Sequence, residues 1–264
     1  MGQNLWGNLW GQTLSFSPRK RDAPSSNFLI SRSSSMARHA RFILPNVPLH
    51  IVQRGNNRQP CFFDEVDHRV YLRALETHAK SYSCAVHAYV LMTNHTHILA
   101  TPSDREGPAR MMKALGQNFT EYINRRRGRT GSLWEGRFWS GMVGDAGYFM
   151  RCMRYIELNP VDARMVCRPE DYGWSSYRAN AGLAELSWIQ PHPDFLHFAD
   201  DDAARHQSYR AFVSIPPSDE ERRAIESAVK GGFAWGGEDF LRMVEAEFGT
   251  DAVRKRGRLR PDDD

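Results

Sequence analysis

The chain has 264 residues, 41% of them apolar, enough for one large domain or one domain with an appendage. Its four cysteines, Cys61, Cys84, Cys152 and Cys167, show no paired short spacing. That speaks against a zinc cluster or a disulfide framework and fits a reducing, cytoplasmic setting. No apolar run reaches membrane-spanning length, and Met1 to Trp10 has neither the basic start nor the apolar segment of a signal peptide.

The net charge of +4 is unevenly spread. Residues 1–35 carry four basic side chains against one acidic; residues 36–182 carry 20 against 13; residues 183–264 carry 11 against 17. The arginine-rich middle suits a phosphate-bearing partner, or is an ordinary solvated surface.

Residues 1–35, rich in Ser, Asn, Gly and Trp, read as a disordered or loosely docked leader. Met36 is an alternative start of translation. From Arg38 the pattern becomes regular. Pro48 to Arg54 reads as a strand, with Leu49, Ile51 and Gln53 on one face and His50, Val52 and Arg54 on the other. Gly55-Asn56-Asn57-Arg58 is a polar turn. Asp64 caps a helix over 65–82 whose apolar positions include Val66, Val70, Leu72, Leu75 and Ala79. A β-hairpin follows, about 84–92 and 95–101, turning at Thr93-Asn94.

A second helix spans 109–126, with Met112, Leu115, Phe119, Tyr122 and Ile123 on one face, and stops at Gly128. Arg125, Arg126, Arg127 and Arg129 at its end either complement the helix dipole or grip a phosphate backbone. Leu133 to Gly144, with glycines at 136, 141 and 144, reads as a bent strand. Asp145 caps a third helix over 146–158, ending at Asn159-Pro160 because the residue before proline disfavours the α region. Asp171 to Tyr177 reads as a short helix closing the domain. The order predicts an α+β, ferredoxin-like (split βαβ) antiparallel sheet with helices packed on it over 36–182. Residues 183–264 form a mainly helical C-terminal extension, with helices near 202–213, 218–229 and 238–248 and a basic tail, Arg254 to Pro261.

The hairpin carries the first candidate chemistry. His95 and His97 are two apart on one strand, so they project side by side. They are either paired ligands for one divalent metal or two partly buried, hydrogen-bonded histidines; two ligands do not make a site. The third helix supplies more. Tyr155 and Asn159 are four apart and share a face. If that face lies over the hairpin, Asn159 Oδ1 becomes a third ligand and the Tyr155 hydroxyl lies near the cation. That assembly suits attack on a phosphodiester. Otherwise Tyr155 is a core tyrosine with its hydroxyl satisfied at the surface.

These residues carry a resemblance. His95-Thr96-His97 resembles the paired-histidine motif of the HUH single-stranded DNA nucleases. Arg154-Tyr155-Ile156-Glu157-Leu158-Asn159-Pro160 resembles the tyrosine helix of single-tyrosine transposases of the IS200 class, most closely the REP-associated tyrosine transposase branch. His50 to Gln59 is similar to the opening strand of that branch. The blocks span about 38–180 in the family's order. Thr96 stands where the family usually has a bulky apolar residue.

The resemblance implies a nuclease domain that uses Mg2+ or Mn2+ and nicks and rejoins single-stranded, hairpin-containing DNA through a covalent 5′-phosphotyrosine. It implies His95, His97 and Asn159 as metal ligands and Tyr155 as nucleophile, in a monomer or a homodimer. Arg54, Arg58, Arg125, Arg126, Arg127, Arg129, Arg137 and Arg151 are candidates for backbone contact, with Trp134 and Trp139 as stacking platforms. Two other readings stay open: a catalytically silent DNA-binding regulator with the same fold, and a metal phosphodiesterase that uses water.

Overall fold

Four short strands account for the centre of the computed structural model, which describes residues 41–253. The leader, Met36 and the basic tail lie outside the described residues. Strand β1 (Leu49–Arg54) leads through a 3-10 turn to helix α1 (Glu65–Ser81). The hairpin strands β2 (Cys84–Met92) and β3 (His95–Pro102) come next, followed by α2 (Gly107–Arg127), β4 (Trp139–Met142) and α3 (Ala146–Asp162). The sheet order is β2-β3-β1-β4, antiparallel throughout. Since β1 and β2 flank β3 rather than each other, this is the split βαβ, ferredoxin-like arrangement expected from the element order.

Local chemistry explains the boundaries. Asp64 Oδ1 accepts from the Val66 and Asp67 amides and caps α1. Gly128 closes α2 in the left-handed region, φ 61°, where a side chain would be strained.

Alternation along the strands builds a core on each face. Leu49, Ile51, Tyr89, Leu91 and Ile98 pack with Tyr71, Leu75, Met112, Leu115 and Phe119 of α1 and α2. Ala88, Val90 and Leu99 point the other way, against Phe149, Cys152, Met153 and Ile156 of α3.

The C-terminal elements complete that second face. They are α4 (Tyr177–Asn180), α5 (Pro193–Leu196), α6 (Asp202–Val213), α7 (Asp219–Gly231) and α8 (Glu238–Phe248). The described residues belong to one compact unit. Tyr209, Val213 and Ile225 join the α3 core. The α7 C-terminus sits tightly on β4, where a Cβ added at Gly141 would meet the Phe233 carbonyl at 2.7 Å. Both sheet edges are covered. The Leu91 amide donates to Trp174 O and the Ser176 amide to Tyr89 O at the β2 edge; the Trp235 amide donates to Met142 O at the β4 edge. Among the described residues no helix is long and apolar enough to cross a membrane.

Three sequence expectations need correction. The bent strand over 133–144 is reduced to Trp139–Met142, with isolated bridges from Trp134 to Gly55 and from Val143 to Trp235; Gly136, at φ 127°, interrupts the ladder before 139. Helix α3 runs on through Pro160 to Asp162. A proline in the last turn removes only its own amide, and the ring is buried in the fold. The span 171–177 is not a helix. A 3-10 turn at Pro169–Asp171 and α4 flank a stretch that bridges to the outer edge of β2, Ser175 to Val90; pairing the backbone groups of that edge outcompetes a short isolated helix.

Candidate active site

The register places His95 opposite Arg54 and His97 opposite Val52. His95, His97 and Leu99 therefore share the α3 face with His50, Val52 and Arg54. Helix α3 crosses this face, and the sheet brings His50, His97 and Tyr155 into contact. The rings of His97 and Tyr155 are 5.7 Å apart, those of His50 and Tyr155 6.0 Å, and those of His95 and His97 5.0 Å. Asn159, one turn after Tyr155, donates from Nδ2 to the Tyr155 carbonyl at 2.8 Å. It also lies beside His95 and the Tyr155 hydroxyl, favouring a proton on the first and easing ionisation of the second. The four residues singled out in the sequence thus meet within one chain.

Each histidine is oriented from behind. Asn94 donates from Nδ2 to the Arg58 carbonyl at 3.0 Å, which turns its Oδ1 toward His95 Nδ1 at 2.7 Å. An amide oxygen only accepts, so the proton of His95 sits on Nδ1 and Nε2 keeps its lone pair. His97 Nδ1 lies 2.9 Å from His50 Nε2. His50, Asn94 and the Arg58 carbonyl were not singled out as parts of the site from the sequence. The signal available for His50 was its place on the same strand face as Arg54.

Burial sets the charge state. Removal from water pushes His95 down to about 4, with the positive charge of Arg54 acting in the same direction. Burial alone pushes His50 down to about 3, and His97 falls well below the usual histidine range for the same reason, aided by His95, His50 and Arg54. All three imidazoles are neutral near pH 7, the form that binds metal. Burial raises the Tyr155 phenol, as does the negative charge of Glu226; Asn159 and Arg222 oppose it. Glu226 and Arg222 come from α7, whose place beside the site no local pattern announced.

Among the described residues no group of three or more His, Cys, Asp or Glu side chains is placed to hold a metal ion. The residues that would hold a cation here are His95, His97 and Asn159, two neutral imidazoles and an amide. Such a set fits a divalent cation with nitrogen affinity, Mn2+ more readily than Mg2+.

The basic candidates divide. Arg126 pairs with Asp64 (2.8 Å) and the buried Asp67, and Arg127 with Asp64 at 2.7 Å, so the end of α2 is tied to the start of α1. Arg125 pairs with Glu121 on its own helix. Arg54 lies on the same sheet face as His95 and His97 with its guanidinium over the Trp139 ring at 5.3 Å. Arg137 stands beside Arg41, which is lowered to about 10 by burial and then by that neighbouring charge. Arg58 lies in the turn after β1, Arg129 is partly exposed just past α2, and Arg151 reaches the Tyr148 ring at 5.2 Å. Trp134 is buried against Tyr71 and Phe119 and donates to the Gly116 carbonyl, a core role that excludes it as a stacking platform. Trp139 is partly exposed.

Residues 44–159 match the family model described as "Transposase IS200 like". That segment is similar to the IS200-like transposase family. The matched segment runs from just before β1 to Asn159 and so contains the hairpin, both histidines and the tyrosine helix. Two solved structures are similar. One is a REP-associated tyrosine transposase bound to a REP hairpin, at 15% identity over 60% of this chain and 99% of that one, TM-score 0.49. The other is a Deinococcus radiodurans R1 protein described as a transposase, at 16% identity over 42% of this chain and 88% of that one, TM-score 0.33. No curated protein matches.

Proposed function

We propose that residues 36–182 are an HUH-type nuclease domain that nicks and rejoins single-stranded DNA next to hairpins, with Tyr155 as nucleophile. The observation that carries this reading is the meeting of Tyr155 with His97 and His50 on one sheet face, beside Asn159 and His95. His95, His97 and Asn159 would hold the cation, which supplies Lewis-acid polarisation of a phosphoryl oxygen.

The protein's own groups do the rest. Tyr155 Oη attacks phosphorus; the new O–P bond forms as the bond to the 3′ oxygen breaks. The 3′ oxygen leaves as a hydroxyl, so the phenol proton in effect replaces phosphorus on it. The 5′-phosphate stays on the tyrosine, and the reverse attack by a 3′-hydroxyl reseals the strand without outside energy. Burial keeps water from competing for that ester. Arg54, Arg58, Arg129 and Arg137 are the proposed backbone contacts, because their charges are not shared with a carboxylate in the ion pairs described above. One chain holds the whole set, so a monomer is sufficient.

The test is incubation of the full chain with single-stranded hairpin DNA and Mn2+, followed by a denaturing gel. A protein–DNA adduct lost in Tyr155→Phe and in His97→Ala is the expected result. Cleavage retained in Tyr155→Phe without adduct would assign the reaction to water. No cleavage under any condition, with DNA binding intact, would make the chain a regulator.

A further inference from the structure

The His50–His97 contact goes beyond a ligand list. The two rings are diagonal neighbours on β1 and β3, stacked at 26° with centroids 5.1 Å apart, and both are at most 5% exposed. A neutral imidazole has one N–H. The 2.9 Å approach of His50 Nε2 to His97 Nδ1 therefore holds a single shared proton. If His50 donates it, His97 must carry its own proton on Nε2 and has no lone pair for a cation. If His97 donates it, His97 Nε2 is free, on a ring whose centroid lies 5.0 Å from that of His95 and 5.7 Å from that of Tyr155.

We infer that His50 is a positioning residue that accepts the Nδ1 proton of His97 and so selects the tautomer able to bind the cation. This rests on the cation reading proposed above. The parallel with His95 supports it. There Asn94 Oδ1, fixed by the Arg58 carbonyl, can only accept, so His95 presents Nε2, as the inference requires of His97. A metal-binding histidine whose second nitrogen donates to a fixed acceptor is held in both ring orientation and tautomer. Using a third histidine as that acceptor adds no negative charge beside a site that takes anionic DNA.

The test compares His50→Leu and His50→Gln with wild type in the full chain. Gln keeps an acceptor oxygen near the position of Nε2; Leu has none. Binding of Mn2+ alone is read from free-ion paramagnetic resonance, and the unfolding midpoint is read without metal. The expected result is Mn2+ affinity weakened roughly 10–100-fold in His50→Leu and largely recovered in His50→Gln. Wild-type affinity in His50→Leu would overturn the inference while leaving the cation reading intact. Failure of wild type to bind Mn2+ would overturn both. Should His50→Leu not fold, the 15N spectrum of the wild-type histidines decides. His97 protonated on Nδ1 supports the inference, and protonated on Nε2 defeats it.

Discussion

Arg154 Nη2 lies between the two carboxylate oxygens of Glu221, at 2.8 and 2.9 Å, one residue before the tyrosine proposed as nucleophile. The arginine is 8% exposed and the glutamate 16%, and Arg154 also donates to the Ile215 carbonyl. Together with the Arg222–Asp162 pair, this fastens α7 to α3. Removing one member of a nearly buried pair leaves an uncompensated charge. Glu221→Ala should lower stability by roughly 2–3 kcal/mol, read as a reduced urea midpoint, and should loosen Tyr155 as judged by hydrogen exchange of α3.

Glu157, two residues past Tyr155, gives the chain a pH-dependent stability. Its carboxylate accepts from Ser176 Oγ (2.5 Å), Asn180 Nδ2 (2.8 Å) and the Tyr209 hydroxyl (2.6 Å). Burial nevertheless raises it from 4.5 to about 7, against those hydrogen bonds. A raised folded value means that the folded state keeps a proton the unfolded chain has already lost. The contribution is fully present below 4.5 and is lost as pH rises through about 7. Glu157→Gln should flatten the fall in urea midpoint across that window, whereas a wild-type chain equally stable at both ends would contradict the assignment.

Asp67 holds the start of α1 to the end of α2. It is fully buried, accepts from the Tyr122 hydroxyl at 3.1 Å and the Phe63 amide at 2.9 Å, and pairs with Arg126 and Arg127. Asp67→Ala should cost about 3 kcal/mol in chemical denaturation. Arg126→Ala should also lower the midpoint, yet leave the salt dependence of DNA binding unchanged.

Arg54 should behave in the opposite way. It stands on the histidine face, and its charge reaches His95 and His97. One phosphate contact on single-stranded DNA contributes a slope of about 0.7 in log affinity against log salt. Arg54→Ala should flatten the measured slope by about that amount with little change in unfolding midpoint. An unchanged slope would remove Arg54 from the DNA path.

Gly141 offers a test of the seam between β4 and α7. A side chain there would strike the backbone carbonyls of Phe233 and Ala228, neither of which can rotate away. Gly141→Val should destabilise the fold by about 1–3 kcal/mol, as overpacking does, measured by thermal unfolding.

The amino-acid sequence by itself determined what depends on neighbours along the chain. The hairpin at 84–102, the capped helix α1 and the helices at 202–213 and 238–248 follow from side-chain period, turn residues and caps, which act within a few residues. The pairing of His95 with His97, and of Tyr155 with Asn159, was likewise legible because strand and helix repeats place them on one face. Tertiary structure decided what depends on residues far apart. His50 meets His97 across 47 positions, Glu157 finds Tyr209 across 52, and Arg126 finds Asp67 across 59. No local period encodes such pairs. They exist because strand order, helix crossing and burial bring polar groups together away from water, where each must find a partner.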